Sequence, residues 1–305
     1  MTSPRVSIII VNWNNYADTS ECLDSLRRAT YANFEVVVVD NGSHGDDVRL
    51  LRDGYGDWIR LIPNPRNDGF AEGCNIGIRD SLARDVEYIV LLNNDTVVAP
   101  DFLDQLMSVV GEDPAIGIAG GKVYCEEIPN MIWFAGGSID YNTGSTPIRG
   151  SGEIDDGQYE DATDVAWICG CFMAISRNVL ESVGFLDRRF FFGWEDADLS
   201  IRAAREGFRV VFVPGAKVWH KTLPPEKQKR LSGKPVYYAT RGHFIFMEKH
   251  LTKKQLLSAA VYYTVRFPRF LWDYSKVLGQ WKVPLYVLWA MADHAARKLR
   301  PPMTR

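Results

Sequence analysis

The chain lacks most of the signatures by which a 305-residue protein declares a cofactor or a compartment. Its five cysteines, at positions 22, 74, 125, 169 and 171, form no CxxC pair and no zinc-like spacing. An odd number set mostly in apolar stretches predicts reduced, buried thiols in a cytoplasmic protein. No basic and apolar leader precedes Val6, where the first strand is expected, so no secretory signal is expected. No run approaches the roughly 18 to 20 apolar residues that a spanning helix needs. No repeat of fixed period occurs, which excludes solenoids and propellers. No GxGxxG follows the first apolar run and no Walker-A sequence is present, so the usual glycine loops for dinucleotides and triphosphates are missing.

What is present is ordinary in bulk, with 46% hydrophobic and 24% charged residues. That is enough for one large domain, or one domain with an appendage. The net charge of −3 hides a division. Residues 217–305 hold 18 Lys+Arg and 4 Asp+Glu, whereas residues 1–216 hold 17 and 34. Such asymmetry predicts two regions with different partners. The acidic body suits a metal-dependent site, and the basic tail suits anionic lipid or phosphate; nothing in the pattern points to nucleic acid.

The first half alternates strand and helix. Val6–Val11, Phe34–Val39 and Glu87–Leu92 are continuous apolar runs, the mark of strands buried on both faces. Ile59–Ile62 is a shorter strand. Helical spacing covers Asp18–Arg28, Phe70–Leu82 and Pro100–Val110. This order predicts an α/β fold, a mostly parallel sheet flanked by helices. Further on, strands are expected over Ile116–Tyr124, Val165–Ser176 and Phe208–Val213, and a helix over Glu195–Glu206. Residues 125–163 read as loops or hairpins framing a site. Lys221–Lys234 reads as a polar loop, and the pattern from Val236 is helical. The expected division is therefore 1–220 for the α/β body and 221–305 for a helical extension.

Ligands of open α/β sheets bind at the carboxyl ends of the strands. Asn12–Asn15, Asp40–Ser43 and Asn93–Asp95 each follow such a strand. Any one of them is ordinary turn chemistry; three converging on one crevice suggest a polar ligand such as a nucleotide. With no glycine loop, a divalent metal held by Asp95 is the economical way to neutralise phosphates, and hard ligands favour Mg²⁺ or Mn²⁺. A second cluster, FFFGWEDADLSIR from Phe190, sets Glu195, Asp196 and Asp198 behind an aromatic run. Acidic residues there suit a helix N-terminus in any protein. Apolar walls beside a carboxylate also suit a general base, and Trp194 suits packing against a sugar ring. His220 lies just past a further strand-like segment.

Six blocks in order then resemble the signatures of family-two glycosyltransferases. They are VSIIIVNWNNY from Val6, VVDNGS from Val38, NPRNDGFAEGCNIG from Asn64, LLNNDT from Leu91, GWEDADLSIR from Gly193 and VWH ending at His220. The nearest subgroup resembles rhamnosyltransferase-like enzymes of bacterial surface-polysaccharide assembly, and the likeness runs over about residues 5–250. The resemblance implies a GT-A fold and inverting single displacement from a nucleoside-diphosphate sugar, dTDP-rhamnose or a UDP-sugar being favoured. By position it places Val11, Asn12 and Trp13 in the base pocket, Asp40 at the uracil or thymine edge, and Asn67 and Asn75 near the nucleotide. Asn93-Asn94-Asp95 stands at the family's DxD motif, with Asp95 and His220 as ligands of Mn²⁺ or Mg²⁺ and Asn93 and Asn94 on the donor. Asp196 would be the base; Trp194, Glu195 and Arg241 would meet the acceptor. Gly242 departs from the subgroup's Arg-Asn pair, and Asn93 from its first Asp.

Two other classes remain open at this stage: a nucleotidyltransferase and a catalytically silent sugar-nucleotide-binding protein. A processive synthase would carry QxxRW and spanning helices, and neither is found. The implied acceptor is a glycan or a polyprenyl-linked sugar. Arg266–Trp289 interleaves aromatics with cations, which suits an interfacial helix on the inner face of the plasma membrane. A helical cap packed on the body or a homodimer interface fits the same pattern.

Overall fold

The computed structural model describes residues 3–222, 234–272 and 282–299. These group into two compact units. The first holds the described residues of 3–138, 147–188 and 196–222; the second holds 139–146, 189–195 and the described residues from 234 onward.

The first unit is built on one mixed sheet. Its strands are β1 (Val6–Asn12), β2 (Phe34–Asn41), β3 (Ile59–Asn64), β4 (Tyr88–Asn93), β5 (Thr96–Val98), β6 (Ile116–Cys125), β7 (Ile128–Phe134), β8 (Thr163–Asp164), β9 (Phe172–Ser176) and β10 (Arg209–His220). Their order is β3-β2-β1-β4-β9-β6-β10-β5, with β7 on β6 and β8 on β10. The long ladders, β1 with β2 and β4, β2 with β3, and β6 with β10, are parallel. β9 enters antiparallel between β4 and β6. The core of β1 and β2 is fully buried from Ile8 to Ile10 and from Val36 to Val39, as β-branched runs covered on both faces should be. Helices α1 (Tyr16–Leu26), α2 (Asp47–Tyr55), α3 (Phe70–Leu82), α4 (Phe102–Glu112), α5 (Arg177–Val183) and α6 (Glu195–Arg205) connect the strands.

Most expected elements are present, α3 with identical bounds. Three differ for physical reasons. The strand expected over Val165–Ser176 begins only at Phe172. Upstream, Ala166 N–H donates to Gly137 O and Gly170 N–H donates to a carboxylate, so those groups are not offered to a ladder. The strand expected to end at Val213 runs on to His220, because a register shift between Val213 and Lys217 absorbs Pro214 and Gly215. α2 was not expected at all, since it buries only Leu51 and Tyr55 and is otherwise polar. The expected loop after Lys221 lies, from residue 223 to 233, outside the described residues, as do Tyr274, Lys276 and Trp281 of the aromatic and basic tail.

The second unit is helical: α7 (Lys234–His250), α8 (Lys253–Trp272) and α9 (Val283–Leu299). Tyr237 joins α7 to α9, its hydroxyl donating to Asp293 Oδ2 at 2.7 Å and its ring 4.4 Å from that of Trp289. α8 packs through Ala259 and Leu256 against Met247, Leu251 and Phe244. The segment 189–195 adds stacked rings, Phe191 on Tyr238 at 4.1 Å and Trp194 on His243 at 4.4 Å.

Candidate active site

The carboxyl ends of β1, β2, β4 and β10 carry the polar clusters. Parallel pairing sets Asn12 beside Asp40 and Val11 beside Asn93. Asn12 is fully buried, and its amide is completely engaged. Its Nδ2 donates to Asp40 Oδ2 at 2.7 Å and Asp47 Oδ2 at 3.0 Å, while its Oδ1 accepts from Thr19 Oγ1 at 2.7 Å. Asp40 in turn accepts from Ser43 N–H and the Ser43 hydroxyl, at 3.0 and 2.6 Å. Buried polar groups persist only when so satisfied, and a saturated network fixes its members in one geometry. Val11 is part-buried, and Trp13, 50% exposed, stands beside this network.

The next loop is held by close approach. Gly42 has φ +80°, and a Cβ there would lie 2.5 Å from the backbone of Arg66. Only glycine lets β2 end against the 66–67 loop in this way. Asn41 then ties that loop down, its Nδ2 donating to Asn67 Oδ1 at 3.2 Å and Gly69 O at 3.0 Å. Asn75 is held within the fold by its amide. Its Nδ2 donates to Leu186 O at 2.8 Å and its Oδ1 accepts from Leu186 N–H at 3.1 Å, so the amide is a clip on the chain after α5.

Asp95 and His220 are brought together by the antiparallel pairing of β5 with β10, which sets His220 opposite Thr96. Lys221 N–H donates to Asp95 O at 2.9 Å and reinforces that register. Asp95 Oδ1 lies 3.0 Å from His220 Nε2. The Asn93 amide nitrogen is 3.2 Å from the same imidazole nitrogen, and Asn94 Nδ2 donates to Thr19 Oγ1 at 2.9 Å. Burial pushes the Asp95 carboxyl upward, but the His220 imidazole outweighs it and leaves the group below its usual range. Burial pushes His220 downward, yet Asp95 holds it above its ordinary value. Asp95 Oδ1 and His220 Nδ1 are buried without a hydrogen bond among the described residues. No group of three His, Cys, Asp or Glu side chains converges anywhere among the described residues. A carboxylate and an imidazole with free lone pairs fit a divalent cation whose remaining ligands come from substrate phosphates and water.

Asp196 opens α6. Its Oδ2 accepts from Gly170 N–H at 2.9 Å and its Oδ1 from Ala197 N–H at 2.7 Å. Burial raises its pKa, with those backbone donors opposing. The short stretch Cys169–Cys171 thereby touches both candidate centres, since Cys171 O accepts from Asn93 N–H at 3.0 Å. All five cysteines are buried and free, as the sequence led us to expect.

Trp194, Glu195 and Arg241 fall in the helical unit. Trp194 has φ +78°, donates from Nε1 to Ala239 O at 3.1 Å and lies parallel to His243. One ring face is therefore taken. Arg241 donates to Arg189 O at 3.1 Å and pairs with Asp293 at 3.6 Å. Gly242, the departure from the Arg-Asn pattern, has a local reason: a Cβ there would sit 2.9 Å from Trp194 Cδ1 and 3.1 Å from Gly193 O. Glu195 is buried.

Several participants were missed from sequence. Thr19, Ser43 and Asp47 complete the Asn12 network, Gly170 supports Asp196, and Trp133 sets its ring edge-on to His220 at 5.2 Å. Of these only Ser43 stood within a strand-end cluster. The others come from elements whose approach depends on the sheet order.

An open α/β sheet with this polar crevice defines a nucleotide-sugar type of fold, and comparison with known proteins agrees. The family described as glycosyltransferase like family 2 matches residues 4–233, and the chain belongs to it. Among relatives, an N-acetylglucosaminyl-diphospho-decaprenol L-rhamnosyltransferase of Mycobacterium tuberculosis is 25% identical over 235 residues, 70% of this chain and 75% of its own. A dTDP-rhamnosyl transferase of Shigella flexneri is 26% identical over 228 residues, 72% of each chain. An uncharacterized protein of Sinorhizobium fredii is 25% identical over 260 residues, and there the match spans only 28% of the relative's length. Two solved structures share the GT-A fold. GalNAc-T7 with UDP, GalNAc and Mn²⁺ gives a TM-score of 0.63 at 16% identity, over 81% of this chain and 48% of that one. A Pyrobaculum calidifontis mannosyltransferase with GDP-Man and Mn²⁺ gives 0.57 at 17%, over 97% and 88%.

Proposed function

We propose that this glycosyltransferase moves a sugar, with inversion, from a nucleoside-diphosphate sugar to a hydroxyl of a glycan or polyprenyl-linked acceptor at the inner membrane face. The observation that carries the proposal is the Asp95–His220 pair, 3.0 Å apart beside the saturated Asn12–Asp40 network. The names of the mycobacterial and Shigella relatives favour dTDP-rhamnose as donor and a diphospholipid sugar as acceptor.

In this reading Trp13 offers an exposed ring face to the base beside Val11, Asn12 and Asp40, and Asn67 borders the nucleotide. Asp95 and His220 would hold Mn²⁺ or Mg²⁺, with Asn93 and Asn94 alongside. The cation, when bound, neutralises charge that develops on the departing diphosphate. Asp196 takes the acceptor proton as the acceptor oxygen attacks the anomeric carbon from the face opposite the leaving group. A carboxylate with a raised pKa is a better base at neutral pH than an exposed one. Gly170 and Ala197 fix its two oxygens. Glu195, Trp194 and Arg241, which the family resemblance implies for the acceptor, lie in the helical unit.

Incubating the full chain with dTDP-rhamnose, UDP-sugars and GDP-sugars, each with Mn²⁺ or Mg²⁺ and a lipid-linked acceptor, tests this. The expected products are free nucleoside diphosphate and a glycoside of inverted anomeric configuration by NMR. Pyrophosphate release from a nucleoside triphosphate, or retained configuration, would overturn it.

A further inference from the structure

The helical unit carries a surface that the strand-end chemistry does not use. α8 turns Ala259 and Leu256 inward. Its other side leaves Leu257, Val261, Val265 and Trp272 exposed by 68, 57, 74 and 61%. Helical periodicity sets these four, with exposed Pro268, inside one arc of about 80°. Exposed Lys253 and Arg269 flank the arc, exposed Lys254 stands at its N-terminal end, and Arg266 lies over the Tyr262 ring. The helix has no Asp or Glu in its 20 residues. A contiguous apolar stripe whose charged neighbours on the helix are all cations marks an interaction surface rather than a solvated face.

We propose that this stripe of α8 docks on an anionic lipid bilayer, with the helix lying in the plane of the interface. Charge decides between occupants. A second copy presenting the same face would bring like cations together, because a two-fold interface is self-complementary. Phosphate headgroups instead neutralise them. No described helix is long and apolar enough to cross a membrane, so this attachment is peripheral. Neither four apolar side chains nor four cations suffice alone, but the two signals together give reversible attachment. The inference takes its purpose from the proposed lipid-linked acceptor, since docking would hold the enzyme where that acceptor resides.

Flotation of the full chain with phosphatidylcholine–phosphatidylglycerol vesicles, against phosphatidylcholine alone, tests it. Binding is expected only with the anionic lipid and is expected to fall with added salt. Lys253→Glu with Lys254→Glu should weaken it at least about twentyfold, since each basic residue near the surface contributes about fivefold. The combined variant Leu257→Ser, Val265→Ser and Trp272→Ser should lose binding while its circular-dichroism melt is unchanged, because these side chains are exposed. Equal binding by wild type and triple variant overturns the proposal, as does no binding by wild type. A dimer that the triple variant dissociates overturns it in favour of a second copy. Turnover on a short water-soluble acceptor separates the two readings: the triple variant should retain it. A wild type that docks yet releases no nucleoside diphosphate from any donor keeps the surface and removes the activity.

Discussion

The two units treat a histidine in opposite ways. In the α/β unit His220 faces Asp95 and is held above its ordinary pKa despite burial. In the helical unit His243 is sandwiched by rings, parallel to Trp194 at 4.4 Å and edge-on to Tyr263 at 5.4 Å. Its Nε2 lies 3.0 Å from Gly144 O, and burial drives its pKa down to about 4. The first environment is made of carboxylates, amides and hydroxyls that saturate one another, and it stabilises charge. The second is made of stacked rings, and it excludes charge. Chemistry on a phosphate-bearing donor needs the first; a platform that presents apolar surface needs the second.

The contrast recurs within the α/β unit. Asp95 is depressed by His220, whereas Asp196 is raised by burial. Environments that push two carboxyls apart suit the two tasks proposed for them, one to stay anionic beside a cation and one to accept a proton. The sharpest way to break this is to neutralise each in turn. Asp196→Asn should lower turnover about 1,000-fold, within the usual range for a general base, while donor affinity by calorimetry changes little. Loss of donor binding with turnover per bound donor intact would reverse the two roles. Asp95→Ala should act the other way, weakening Mn²⁺-dependent donor binding about 100-fold, an effect that added metal partly restores. Donor binding with wild-type affinity and wild-type Mn²⁺ dependence in this variant would remove Asp95 from the cation site.

How much of this was legible beforehand follows the same division. The buried strands were readable because a strand covered on both faces has only one solution, a continuous β-branched run such as SIIIV in β1. The position of Asn93–Asp95 and Asp40 at the carboxyl ends of strands was readable because each follows a continuous apolar run. The Asp95–His220 distance was not, since it depends on β5 folding back antiparallel on β10, a three-residue strand too short to leave a pattern. Asn75 adds a contact that the sequence did not show. It sits in a block resembling a nucleotide-binding signature, yet its amide clips Leu186, 111 residues away. Trp194 was read as a sugar platform from its company, but that company includes His243, which only the path of α7 brings to it.

His243 supplies the last and smallest test, on stability rather than turnover. Its pKa falls from 6.5 to about 4 on folding, so between those values the unfolded chain holds the extra proton. Stability therefore rises with pH through that window, and is lost as pH falls from 6.5 toward 4. The contribution is at most about 3.5 kcal/mol, at about 1.4 kcal/mol per pKa unit. Asp196 has a raised pKa and contributes with the opposite sign in acid, so the total slope is not diagnostic. The difference between wild type and His243→Phe is. Phenylalanine keeps a ring against Trp194 and removes the titration, so the wild-type Tm should fall relative to the variant's as pH falls from about 7 toward about 4.5. Parallel Tm profiles across that range would mean that the ring stack tolerates an imidazolium, and the distinction between a charge-holding and a charge-excluding unit would then rest on His220 alone.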